Sequence, residues 1–171
     1  MDGNTSTILF RLIHILAGIF WVGSVFVIAG FLMPTARETG REGGRFMQHL
    51  AQRRRLPMFL SIAGLLTVLS GFVLYGRLVS STHGQWASTR PGIVYGLGAL
   101  AAIVGGITGS AISGSAARRL GAIGATAGTA GPSAEQQAEM GRLQARMALG
   151  SRITAGLLAV AAGAMAVARY L

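Results

Sequence analysis

The chain has 171 residues, of which 51% are hydrophobic and only 12% charged, where a soluble domain carries about a quarter charged; this points to one small membrane bundle without a second domain. With no cysteine and no lysine among its basic residues, disulfides, thiolate metal sites, cysteine nucleophiles and lysine Schiff bases are all excluded. The formal net charge of +10 would suit nucleic acid, but the arginines flank apolar segments, where they set topology and meet lipid headgroups, so no nucleic acid is expected.

The N-terminal "MDGNTST" is acidic and polar where a signal peptide would be basic, so no cleavable signal is expected. A helix needs about 20 apolar residues to cross the hydrocarbon core, and four segments qualify, at about residues 8–33, 56–77, 92–114 and 148–168. Pro34 is expected to end the first, because proline disfavours helix at the residue before it. The second helix is expected to start early, near Gly44, as an amphipathic turn or two. Between the third and fourth spans, "GAIGATAGTAGPS" reads as a flexible linker. It is followed by a helix start at Ser133, with Gln136 three residues later forming a capping box after Pro132.

The fold class is therefore all-α, a four-span transmembrane bundle. Connection 34–55 carries Arg37, Arg41, Arg45, Arg53, Arg54 and Arg55, and connection 115–147 carries Arg118, Arg119, Arg142 and Arg146. The connection between the second and third spans has Arg90 alone, with Arg77 at its edge. The positive-inside rule puts the two basic connections in the cytoplasm and both termini outside, N-out/C-out. Tyr75, Trp86, Tyr95 and Tyr170 then fall near the outer ends of spans, where an aromatic belt belongs.

Small residues recur at four-residue spacing in the third span, Gly92 with Gly96 and Gly105 with Gly109, which lets helices approach closely. This stripe over 92–114 serves either packing inside the bundle or a homodimer or partner-complex face. The acids Asp2, Glu38, Glu42, Glu135 and Glu139 all lie outside the spans, which argues against an ion-coupled transporter. No nucleotide loop or hydrolase elbow appears. Three histidines are left. Arg11, His14, Gly18 and Trp21 follow three-, four- and three-residue steps and share one helix face. His14 lies near the outer end of its span, His83 in the outer connection and His49 at the cytoplasmic side. His14 and His83 could meet if the outer loop folds back over the bundle, whereas His49 is a bilayer away. His14 reads either as a ligand or as an interfacial histidine bonded to a backbone carbonyl or a headgroup. The methionines do not cluster, with Met33, Met47 and Met58 on the cytoplasmic side and Met165 toward the outer one.

"RLIHILAGIFWVGSVFVIAGFLMP", with His14, Trp21 and Gly23 in a His to Trp-x-Gly pattern, resembles the opening helix of the CopD-like (copper-resistance protein D-like) bacterial membrane proteins. The likeness continues through "RFMQHLAQRRRLPMFLSIAGLLTVLSGFVLYG", with Thr67, Ser70 and Gly71, and the closing "MAVARYL". It implies a multi-pass protein of the bacterial inner (cytoplasmic) membrane that binds or passes copper, or holds one haem b, near its outer face. His14 would be the principal ligand and His83 the second, with Arg11, Gly18, Trp21 and Gly23 around them. More distantly similar four-helix cytochromes b hold each haem between two helix histidines; here only His14 is near a span interior. HemJ-like oxidases use a lysine that has no counterpart in this chain. The alternative is a non-catalytic accessory subunit of a larger membrane complex, and nothing in the sequence requires an enzyme.

Overall fold

The computed structural model describes residues 3–126 and 131–171, and every regular element among them is helical. Helix α1 (Gly3–Val27) passes through a π-helical segment, π1 (Ile28–Leu32), into α2 (Met33–Glu38). A short hairpin leads to α3 (Arg41–Gln52), and α4 (Leu56–Ser81) follows. After a 3₁₀ turn at Gln85–Ser88 come α5 (Arg90–Thr108), a second π segment, π2 (Gly109–Gly114), and α6 (Ser115–Thr126). The last long helix is α7 (Ala134–Val167). Four continuous helical stretches are long and apolar enough to span a membrane: Gly3–Glu38, Leu56–Ser81, Arg90–Ala125 and Ala134–Tyr170.

Two antiparallel pairs make the bundle, α1 against α4 and α5 against α7, and they join through α1–α7 and α4–α5 contacts. The interior is thin and made of small side chains. Ala63, Ala116, Ala148, Ala155 and Ala161 are buried, and Leu158 is the one large side chain with no exposure among the described residues. Large apolar residues such as Ile19, Phe31, Leu65, Phe72 and Ile107 face outward. This distribution suits lipid, where burying apolar area gains nothing and close backbone packing holds helices together.

Pro34 does not end the first helix. It sits in the first turn of α2, just after π1, where the Met33 N–H reaches back five residues to the Ile28 carbonyl. The wider π turn takes up the proline ring, which would otherwise clash with the carbonyl four residues back. The second span has no early start. Residues 41–52 form a separate amphipathic helix, and Arg55 (φ 51°) followed by Pro57 breaks the chain before α4. α3 folds back tightly on α2, so that a side chain at Gly43 would run into the Ala36 backbone and Thr39.

The third span does not stop at Gly114. It continues through π2 and α6 to Thr126, which takes in the first part of the expected linker. Linker residues 127–130 lie outside the described residues. The capping box is as expected: Ser133 Oγ accepts from the Gln136 N–H, and Gln136 Oε1 accepts from the Ser133 N–H.

Candidate functional site

α1 and α4 meet in a stepped seam. Going down α1, His14 lies against Gly71, Gly18 against Thr67 and Trp21 against Gly64. Each bulky side chain of α1 faces a residue of α4 small enough to admit it. A Cβ on Gly71 would stand 2.9 Å from His14 Cε1, and one on Gly64 would stand 3.0 Å from Trp21 Cε2. A side chain at either glycine would have to push the opposing ring aside.

His14 is half-buried and tied across the seam. Its Nδ1 lies 2.8 Å from the Thr67 carbonyl. A carbonyl only accepts, so Nδ1 carries the proton and donates, which leaves the Nε2 lone pair free in the neutral ring. The buried Ser70 hydroxyl is 3.5 Å from the same Nδ1 and 3.2 Å from the same carbonyl. Among the described residues no group bonds Nε2. An imidazole anchored through Nδ1–H to a backbone carbonyl has a fixed tautomer and ring orientation, as metal-ligating histidines usually do.

The remaining expected residues divide. Trp21 is buried and reaches across the bundle, its ring edge 3.3 Å from where a Cβ on Gly106 of α5 would be. Gly18 packs on Thr67, whose Cγ2 lies 3.5 Å from where a Cβ on Gly18 would be. Arg11 is exposed, and Gly23 is exposed with nothing within 4 Å of its Cβ position. His83 does not come over the bundle. α4 runs unbroken to Ser81, which puts His83 twelve residues beyond Gly71, roughly 18 Å along the axis at about 1.5 Å per residue. It is exposed, with φ 50°, in the turn after α4. His49 is exposed on α3.

The glycine stripe is used within the chain. Gly105 packs on Leu157 and Leu158, and Gly109 on Thr154, all on α7. Gly96 faces the Tyr75 hydroxyl, while Gly92 sits in the capped first turn of α5, where a side chain would overlap the Trp86 carbonyl. Two features escaped sequence reasoning. Arg77 clasps the other end of the seam, donating to Ser6 Oγ at 2.9 Å and to Thr7 Oγ1 and lying 5.3 Å from the Phe10 ring centroid. Its signal was an arginine at one span edge opposite a run of hydroxyl residues at another. Tyr75, Trp86 and Tyr95 also form one cluster, with ring centroids 5.3 and 5.9 Å apart.

A haem iron held here would have a single histidine nitrogen, His14 Nε2, available from this chain. For copper, sulfur or nitrogen donors must converge. Met33 instead accepts from Ser151 Oγ at 3.0 Å, and Met165 packs its methyl toward Gly98. Among the described residues no three His, Asp or Glu side chains group as a metal site. No family model matches the chain, and no curated protein and no solved structure matches it.

Proposed function

We propose that this is a CopD-like integral protein of the bacterial cytoplasmic membrane, N-out/C-out, whose His14 would hold a single haem b near the outer face. The supporting observation is the Nδ1–H bond from His14 to the Thr67 carbonyl over Gly71, with Nε2 left unbonded. One nitrogen is enough for a haem iron, whereas copper asks for partners that no contact brings to His14; copper is therefore the weaker branch of this reading. Haem held there would supply one-electron chemistry. The chain's own contribution is orientation. The Thr67 carbonyl accepts from Nδ1–H and so sets the tautomer and the ring plane, Ser70 donates to the Leu66 carbonyl beside it, and Gly71 leaves space for the ring. Arg11, exposed one turn away on α1, offers a guanidinium to a carboxylate such as a haem propionate.

The second reading is a non-catalytic subunit of a larger membrane complex, and the same hydrogen bond favours it, since a bond to a backbone carbonyl also satisfies a purely structural histidine. Absorption spectra of the detergent-purified protein, oxidised and dithionite-reduced, with elemental analysis, separate the two. The expected result is a Soret band that shifts on reduction and disappears in His14→Ala, while circular dichroism shows the helices retained. A colourless, metal-free protein, unchanged after haem supplementation, refutes the haem reading and leaves the subunit.

A further inference from the structure

At the opposite, arginine-rich end of the bundle, both π segments flank the same stretch of α7. Met33, just past π1, meets Ser151, while Ile112 and Ser113 of π2 press on Gly150, at 2.8 and 2.9 Å from its Cβ position. π turns arise where a helix departs from regular packing and are frequent at functional sites. On the π1 side an open surface groove of about 310 Å³ lies between π1 and α7, its apolar part lined by Phe26, Ala29, Gly30 and Ala155. Gly30 is exposed, with open space at its Cβ position. A second hollow of about 210 Å³ shares Ala29, Pro34 and Arg152 with the groove and is also lined by Arg37 and by one carboxylate residue, Glu38, all three charged residues being exposed.

We infer that this groove holds one anionic phospholipid, its phosphate between Arg37 and Arg152 and an acyl chain along π1. Two guanidiniums against one carboxylate leave a positive excess. Neither arginine is ion-paired with a described residue, the ion pair found among these being Arg119 with Glu139. Arg152 belongs to a membrane-spanning stretch and borders the apolar part of the groove as well as the charged hollow. Arg152 is exposed at that border, within reach of headgroup phosphates, and guanidinium–phosphate pairing is both strong and directional. A soluble anion would leave the apolar half of the groove empty. A zwitterionic lipid would bring its own cation to the two arginines. An anionic lipid satisfies both halves, as basic pockets between membrane helices do.

The test uses the full chain in phosphatidylcholine nanodiscs containing a minor fraction of phosphatidylglycerol with a diazirine in its acyl chain. Photoadducts are mapped by peptide mass spectrometry. The expected adducts fall on residues 26–34 and 148–155. They should exceed those of a phosphatidylcholine carrying the same diazirine by about fivefold, and Arg152→Gln or Arg37→Gln should remove that excess. Arg142→Gln, a control away from the groove, should keep it. Should Arg152→Gln fail to fold, Gly30→Leu places a side chain in the open space beside the groove and must also remove the excess. Equal labelling by the two lipids means only a general lipid annulus and overturns the inference. So does labelling centred on Arg53–Arg55, which would mean diffuse surface charge, and so does full competition by glycerol phosphate, which would mean a headgroup site without a lipid.

Discussion

Replacing Gly71 by alanine isolates the steric demand of the His14 ring. The new methyl would stand 2.9 Å from His14 Cε1 and 3.2 Å from Nδ1, against an optimum of about 3.5–4.0 Å for carbon pairs. The ring must then retreat by roughly 0.6–1 Å or swing away from Thr67. Crowding of this kind costs about 1–3 kcal/mol, and losing an interhelical hydrogen bond in a membrane costs about 0.6 and at most about 1.7 kcal/mol. Alanine for glycine inside a helix also returns about 1 kcal/mol of propensity, which would mask part of the loss. Gly76→Ala on the same helix carries that gain alone, because nothing lies within 4 Å of its Cβ position. The difference between the two variants is therefore the steric term, about 1–3 kcal/mol in favour of Gly76→Ala. Reversible unfolding by dodecyl sulfate in mixed micelles, followed by circular dichroism, measures it. Equal stabilities would refute the seating of His14 against Gly71, and with it the orientation of Nε2.

Trp21→Ala should destabilise by about 3 kcal/mol, near the low end for large-to-alanine changes because lipid does not reward burial as water does; a loss below about 1 kcal/mol in the same assay would show that the ring does not tie α1 to α4 and α5. Because the chain has no cysteine, single cysteines at Gln85 and Gln137 report orientation directly. Membrane-impermeant maleimide on intact cells should label the first and spare the second, and the reverse pattern would overturn N-out/C-out.

The four spans were legible because length and hydropathy decide them locally. So was the capping box at Ser133, which needs only residues three apart. The shared face of His14, Gly18 and Trp21 followed from helical period alone. Their partners did not, since the register between two antiparallel helices depends on which bulky residue meets which gap over a span of fifty residues. Gly64 and Gly71, seven apart on the second span, read as packing positions, whereas Thr67 and Ser70 stood out only through the resemblance, yet Thr67 anchors the imidazole. The glycine stripe was visible, while its division between α7 and the α4–α5 turn depends on which helix lies opposite. Pro34 misled, because the local rule against helix before proline holds for an α turn and the chain supplies a π turn. Nothing in "IAGFLMP" announces that widening.

A π turn contains one residue more than an α turn, and each residue advances a helix by about 100°. The extra residue in π1 thus rotates everything after it, and only in that phase does Met33 meet Ser151 while Arg37 shares a hollow with Arg152. Deleting a single residue between Ile28 and Leu32 would leave the span long and apolar enough to cross the bilayer, but would aim its basic end elsewhere. Across an evolutionary lineage, then, a one-residue gap in this short stretch would mark a change in what that end of the bundle presents, even where hydropathy profiles coincide.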